Sequence, residues 1–495
     1  MPQLFITDMG ALRRPLPTDG ALYELPAGMI DAVERTGLTD GMPFILGDEG
    51  TYDVDLNRFF RACPTMGVRA PNSLEAYARD ILTWLRFLAE RRDGKTPWQA
   101  DREDIAAFHA ARRRSQPPHR ISAASWNRCI AAFEKLYRWA QEEALIAATP
   151  FSYRRVWRHP QGGARGGPVA VSYDRTREPG ARHGDMRFVA LDRFLLFRDV
   201  GLRGRLPDGA EDPRWRGRHG ERNALFAELL ATTGLRLAEA SSLLACELPL
   251  LDGPDARDRR LLPFRLPAAI AKGGKAREIR LPRRLLRRLL DYVELERANA
   301  LARGAARRCD PGGGDLIVAA EADRKTIAIA DGRRPPRRLR LDLLSPAERR
   351  RLVIETGDDG LPAPALLWLT EAGGVMTPAA WAAVFRRASA RCRAFGIELD
   401  ITPHMLRHTF AVHMLSMLIR AQIGTVLRSG PGDSAGGGAY RRMIGDPLQK
   451  LQRLMGHASI TSTHVYLDSL EESRALIDAA MDGWATELTG TDTPS

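Results

Sequence analysis

From Leu74 onward, apolar residues recur at helical spacing: Tyr77, Ile81, Trp84, Leu85 and Leu88 follow on one face. They predict a helix that DGKTP (93–97) ends, with Asn72 and Glu75 spaced as a capping box at its start. A second helix is predicted from Asp101 through Ile105 and Phe108 to the basic run at 112–114, closed by QPPHR. A third carries Trp126, Ile130, Phe133, Leu136 and Tyr137 on one face. Residues 71–151 therefore read as a helical bundle.

After Phe188 the pattern becomes mixed. DRFLLF and ERNALFAELLATTGL have helical period, and LLPFRLPAAIAK and AREIRLP read as two strands joined across GGK, a hairpin by its glycine pair. RRLLRRLLDYVELERA is a helix. Residues 303–362, rich in Arg, Gly, Pro and Asp, read as an insertion whose most basic part is DGRRPPRRLRLDL. PALLWLTEAGGVMTPAAWAAVFRRASARC reads as a short strand, a turn and a helix. SGPGDSAGGGAY (429–440), the centre of a second insertion near 421–448, is a flexible loop by composition. Helical pattern resumes at LQKLQRLMGH, and SLEESRALIDAAMDGWA predicts an amphipathic C-terminal helix near 469–485. The expected class is mainly α with a small antiparallel β-sheet (α+β).

Composition changes this picture in three places. The 495 residues suit two or three domains, and the net charge of +13 favours a polyanionic partner, although an Arg- and Ala-rich genome bias would look the same. Residues 1–70 stand apart, with six Arg and no Lys against ten Asp and Glu, and read as an acidic N-terminal extension. Residues 152–187, with eight Arg, three acids and PQGGARGG, read as an Arg/Gly-rich linker. The five cysteines are far apart without a CxxC pair, so neither a disulfide framework nor a zinc site is expected. There is no apolar run of roughly 20 residues, no secretory leader pattern and no GxxxxGK[ST] loop, so a cytoplasmic protein without a membrane span or nucleotide site is expected.

Four fragments carry candidate chemistry: TGLRLAEAS around Arg236, AKGGKAREIRLP around Lys272, HMLRHTFAVHML around His404 and Arg407, and LMGHASITSTHVYL with His457 and Tyr466. A Tyr hydroxyl can attack a phosphodiester if cations hold the non-bridging oxygens and an acid protonates the departing oxygen. Two Arg, one Lys and one or two His meet those needs. Singly, each has a plainer reading. Arg236 can be a surface residue pairing with Glu239 three positions on, Lys272 a solvated turn residue, and Tyr466 a core aromatic. His404 and His408 are four apart, but the middle lacks the Glu of HExxH and Arg407 would repel a cation, so His408 reads as a structural hydrogen-bonder.

Together the fragments resemble the tyrosine recombinases, or phage-type integrases, whose catalytic set runs Arg, Lys, His-x-x-Arg, His, Tyr. All six positions match in type and order: Arg236, Lys272, His404, Arg407, His457 and Tyr466. The resemblance spans residues 71–480 in outline. It implies a helical core-binding, SAM-like DNA-binding domain at 71–151 and a catalytic domain at 188–495. It also implies attack by Tyr466 to form a 3′-phosphotyrosyl link and protonation of the 5′-oxygen by Lys272. Arg236 and Arg407 would bind the phosphate, His404 would help deprotonate the phenol and His457 would donate a hydrogen bond. Lys275 and Arg277 are expected to contact DNA phosphates. The implied cofactor is none. The implied partners are duplex DNA carrying specific sites, a homotetramer formed through the C-terminal helix and accessory DNA-bending factors, for integration or excision of a mobile element. Type IB topoisomerases share the chemistry, and a chromosome-dimer resolvase is a further alternative. The acidic first 70 residues and the two insertions depart from the family's pattern.

Overall fold

The computed structural model describes residues 1–9, 16–18, 21–23, 26–68, 70–117, 119–158, 169–178, 187–217, 219–251, 259–308, 316–323, 325–329, 337–355, 362–428, 446–457, 460–467 and 470. The chain divides into two compact units, Met1–Gly184 and Asp185–Ser495. The fold is mainly helical with small sheets, in agreement with the sequence pattern.

In the first unit, strand β1 (Gln3–Ile6) pairs antiparallel with β4 (Pro43–Leu46), after the short pair β2 (Leu16–Thr18) and β3 (Ala21–Tyr23) and helix α1 (Ala27–Arg35). Helix α2 (Val54–Ala62) is capped by Asp53, whose side chain accepts from the Leu56 amide. Three longer helices follow: α3 (Pro71–Arg91), α4 (Arg102–Arg113) and α5 (Ala123–Glu142). The predicted apolar faces converge on Trp84, which packs against Phe87, Phe108 and Phe133 and donates its indole N–H to the Tyr137 hydroxyl at 2.8 Å.

Two expectations change here. The predicted capping box at Asn72 does not form: α3 starts at Pro71 after Ala70, because proline at the first position has its φ preset and no N–H to satisfy. Glu75 instead pairs with Arg79 at 2.5 Å. Residues 1–70, set apart by their acidity, are not set apart in packing. Ile45, Leu56, Phe59, Phe60 and Cys63 are buried in the same core as Trp84. Two of the acids that make the segment look separate sit on outer faces, Asp48 against the chain's amino terminus and Asp55 against Arg58.

The Arg/Gly-rich stretch contains a strand pair, β5 (Tyr153–Arg158) and β6 (Val169–Asp174), in register from Tyr153↔Asp174 to Arg158↔Val169. Beyond β6, Glu178 accepts from Arg113 at 2.6 Å and contacts His109 at 3.1 Å, which ties this stretch to α4. Residues 159–168, which include PQGGARGG, and 179–186 lie outside the described residues.

The second unit opens with α6 (Leu191–Leu196), which continues as a π-helical turn over Phe197–Leu202. Helices α7 (Gly220–Thr233) and the short α8 (Leu237–Ser241) lead to the hairpin of β7 (Leu261–Leu266) and β8 (Arg277–Pro282). Helix α9 (Arg283–Tyr292) passes through a π-helical turn into α10 (Ala298–Arg308). Later come α12 (Pro378–Ala394), α13 (Pro403–Arg428), α14 (Pro447–Met455) and α15 (Thr461–His464). The core is aromatic at its centre, where Phe226 stacks on Trp381 at 3.6 Å and Trp368 meets both edge-on. The Trp368 indole also donates to the Ala240 carbonyl at 3.0 Å, which fixes α8. Among the described residues no helix is long and apolar enough to cross a membrane. The loop at 429–440 and the C-terminal helix expected near 469–485, apart from Leu470, lie outside the described residues.

The insertion at 303–362 is a folded element. Strands β9 (Ile317–Ala322), β10 (Thr326–Ile329), β11 (Arg337–Arg340), β12 (Leu352–Glu355) and β13 (Pro362–Pro364) form a sheet in the order β11-β10-β9-β12-β13. The sheet is mixed, because β9 and β12 run parallel with helix α11 (Pro346–Arg351) between β11 and β12. It has its own core of Leu244, Ile327, Leu341, Leu344, Leu352 and Leu366. Arg349 is fully buried and uses its whole guanidinium, with both Glu247 oxygens at 2.7 and 2.8 Å and the carbonyls of Ser242, Leu341 and Leu344 as acceptors. Replacing Arg349 by Met would strand Glu247 and three carbonyls. The variant should lose about 3–5 kcal/mol in urea unfolding, and a loss below about 1 kcal/mol would show that the insertion does not depend on this pair.

Candidate active site

The left-handed turn at Gly234 (φ +63°) ends α7, so that Leu235 returns to the core and Arg236 becomes the N-cap of α8. Three residues on, Glu239 is buried at 1% exposure. Its carboxylate accepts from the Arg236 amide (2.9 Å) and guanidinium (2.9 Å), and from Arg277 on β8 through two bonds at 3.0 and 2.6 Å. The Lys272 amide reaches the same carboxylate at 3.4 Å. Burial acts to raise its pKa, but the Arg277 hydrogen bonds and the two guanidinium charges overcome this and hold it at about 2. One carboxylate thus joins α8 to the hairpin and balances two arginines.

Pro403 starts α13, which places Arg407 in its second turn, buried. The Arg407 guanidinium donates to the Gly234 carbonyl and, at 2.6 Å, to the Met455 carbonyl. Both acceptors lie at left-handed glycine corners, since Gly456 (φ +63°) caps α14 directly after Met455. A side chain at Gly234 would run into the Phe410 ring, and one at Gly456 would come within 2.9 Å of Arg277 Cδ. Burial, then the neighbouring Arg236, push Arg407 down to about 9, so it stays charged at neutral pH.

His457 follows Gly456, and its Nδ1 lies 3.0 Å from Thr463 Oγ1. Its ring is nearly parallel to that of Tyr466, at 12° and 6.1 Å. Tyr466 is buried with Phe410, Leu451 and Met455, and its hydroxyl lies 3.2 Å from His408 Nδ1. The His408 ring in turn meets that of His404 edge-on at 4.3 Å. Burial, then neighbouring positive charge, lower all three imidazoles, with His408 and His457 at about 4. These shifts favour the neutral imidazole at each position. Burial raises the Tyr466 phenol, against the pull of Arg407 and Arg236.

The six sequence candidates converge. His404, whose ring is partly covered by His408, lies in the field of Arg407, Arg236 and Lys272, and Tyr466 in that of Arg407 and Arg236. Lys272 and Lys275 are exposed on the hairpin turn beside Gly273 and Gly274, both at positive φ. Two placements differ from expectation. The phenol's partner is His408, and His404 reaches it only through the His408 ring. Arg277 does not stand ready for DNA, because Glu239 engages its guanidinium and leaves its side chain 7% exposed. Reading the sequence missed Glu239 as a centre of the site, although its place three residues after Arg236 was the signal. It also missed Thr463, whose only signal was the Ser/Thr-rich turn. Among the described residues no group of three His, Cys, Asp or Glu could hold a metal ion.

The model of the phage integrase N-terminal SAM-like domain matches residues 54–144. The tyrosine recombinase XerD of Mycobacterium leprae is 25% identical over 400 residues, covering 80% of this chain and 86% of that protein. XerC of Mesorhizobium japonicum is 23% identical over 403 residues, covering 80% and 85%. Over 80% of its length the chain is thus similar to tyrosine recombinases. Among solved structures, the XerH recombinase bound to a palindromic difH substrate aligns with TM-score 0.46 and 14% identity, over 89% of this chain and 92% of that one.

The Glu239 cluster makes a pH prediction. A carboxylate held at about 2 against an ordinary 4.5 contributes stability that is complete above pH 4.5 and is lost as pH falls towards 2. Glu239→Gln should therefore lower unfolding stability by about 3 kcal/mol at pH 7, with the gap to wild type closing as both are taken to low pH. A gap independent of pH would show that the carboxylate's charge does not hold the cluster.

Proposed function

We propose that this protein is a recombinase that exchanges strands between specific duplex sites with Tyr466 as nucleophile, in a homotetramer that integrates or excises a mobile element. The observation that supports it is the gathering of Arg236, Arg407, Lys272 and three neutral imidazoles around one buried tyrosine. Arg236 and Arg407 hold the non-bridging oxygens of the scissile phosphate, where negative charge builds as the phenol attacks. The Tyr466 oxygen bonds to phosphorus, and its proton passes to an imidazole. His408 is the nearest, and His404 stands behind it on the exposed side. The bond to the 5′-oxygen breaks, and the Lys272 ammonium protonates that oxygen. His457, braced by Thr463, adds a hydrogen bond to the phosphate. The phosphotyrosyl ester keeps the energy of the broken bond, so a 5′-hydroxyl from a partner strand reseals it without a nucleotide, through a Holliday junction. Duplex DNA is the partner, Lys275 contributes a phosphate contact, and the enzyme acts in the cytoplasm. The homotetramer forms through the segment near 469–485, and accessory DNA-bending factors complete the assembly.

The test uses Lys272→Ala on two substrates, one ordinary and one with a bridging 5′-sulfur that leaves without protonation. Cleavage of the ordinary DNA should fall by about 10²–10⁴-fold, and cleavage of the sulfur substrate should stay near wild type. Equal loss on both would remove Lys272 from the acid role.

A further inference from the structure

The mechanism leaves the insertion's charge unused. From 324 to 340 the sequence holds six Arg and one Lys against a single Asp. β10 and β11 form a ribbon in register from Thr326↔Arg340 to Ile329↔Arg337, and among the described residues no strand pairs with the outer edge of β11. The ribbon is two-faced. Leu339 and Ile327 pack into the insertion core, so the alternating positions Arg338 and Arg340 point away from it and are exposed. Lys325 is exposed next to them, its carbonyl accepting from the Leu341 amide at 2.8 Å. Arg340 pairs with Asp342 at 2.5 Å, while the side chains of Lys325 and Arg338 make no ion pair or hydrogen bond among the described residues.

A charged edge strand by itself needs no partner, because charge keeps sheet edges from pairing. Two further observations go beyond that. First, the sheet is fastened to the catalytic helix. Arg349 binds the Ser242 carbonyl at the end of α8, Ala245 donates to the Ala365 carbonyl at 3.0 Å, and Leu244 bridges to Leu366. The ribbon therefore has a set position relative to Arg236 at the other end of α8. Second, charge on the ribbon and charge on the hairpin that carries Lys272 meet at one carboxylate. Asp342, the partner of Arg340, also lies in the field of Arg265, exposed on the outer face of β7. Exposed cations thus continue from the catalytic hairpin onto the ribbon. A two-stranded ribbon has the width of the B-DNA major groove, and its arginines suit the phosphates along it.

We propose that the β10–β11 ribbon is a second duplex-contacting surface, gripping the phosphate backbone beyond the point of strand cleavage. This rests on the recombinase reading above. The test compares wild type with the triple variant Lys325→Gln, Arg338→Gln, Arg340→Gln for binding to a long duplex over a salt series. Covalent trapping and thermal unfolding are run beside it. Each lost phosphate contact should reduce the slope of log affinity against log salt by about 0.9, so the triple should lose roughly 2–3 in slope at an unchanged unfolding midpoint. An unchanged slope, with trapping intact, would overturn the ribbon and leave the recombinase reading standing. A reduced slope with no covalent product from wild type would keep the ribbon and sink the recombinase reading. A wild type that binds no duplex would overturn both.

Discussion

The active site depends on one buried carboxylate. Arg236, Arg407 and the pair Lys272 and Arg277 are drawn from three separated stretches, and their mutual repulsion opposes bringing them together in a low-dielectric pocket. Glu239 offsets it by accepting two bonds from Arg277, one from the Arg236 guanidinium and one from the Arg236 amide. Arg277 takes the carboxylate's free side and becomes the strut by which β8 is drawn to α8. That geometry leaves the Arg236 side chain partly exposed and fixed at its base, as the proposed phosphate clamp requires.

The rest of the site is braced around this pair. Arg407 is pinned by two carbonyls at left-handed glycine corners, which lock α7, α13 and α14 together. Tyr466 sits against that lock, with His408 at its hydroxyl and His457 along its ring. Its burial among apolar side chains raises the phenol, against the pull of Arg407 and Arg236. At the far end of α8, Arg349 of the insertion holds the Ser242 carbonyl. The short helix is therefore held at both ends, by Glu239 near its start and by the insertion at its finish.

Much of this was legible in the chain. The helical faces around Trp84 and Phe133, the hairpin across the glycine pair and the six candidate residues follow from local pattern and motif, which act over short distances. What was not legible depends on partners far away in sequence. Glu239 looked like the acid of an ordinary i+3 surface pair, because its burial is decided by Arg277, 38 positions on. Arg277 looked like a phosphate contact for the same reason. His408 was read as a structural hydrogen-bonder, and nothing local shows that its partner is the Tyr466 hydroxyl. The first 70 residues were judged by charge, which reports the outer face, whereas Phe59 and Phe60 report the inner one. The insertion hid its sheet because its strands span only three to six residues between Gly- and Pro-rich turns, too short for alternation to stand out.

The central claim is that Tyr466 becomes joined to DNA. The most direct measurement is covalent trapping on a nicked duplex that loses its 5′-hydroxyl strand after cleavage, followed by sequencing of the DNA-linked peptide. The account predicts an adduct on Tyr466 from wild type and none from Tyr466→Phe, which still binds the same duplex. An adduct on another residue, or one that persists in Tyr466→Phe, would contradict it.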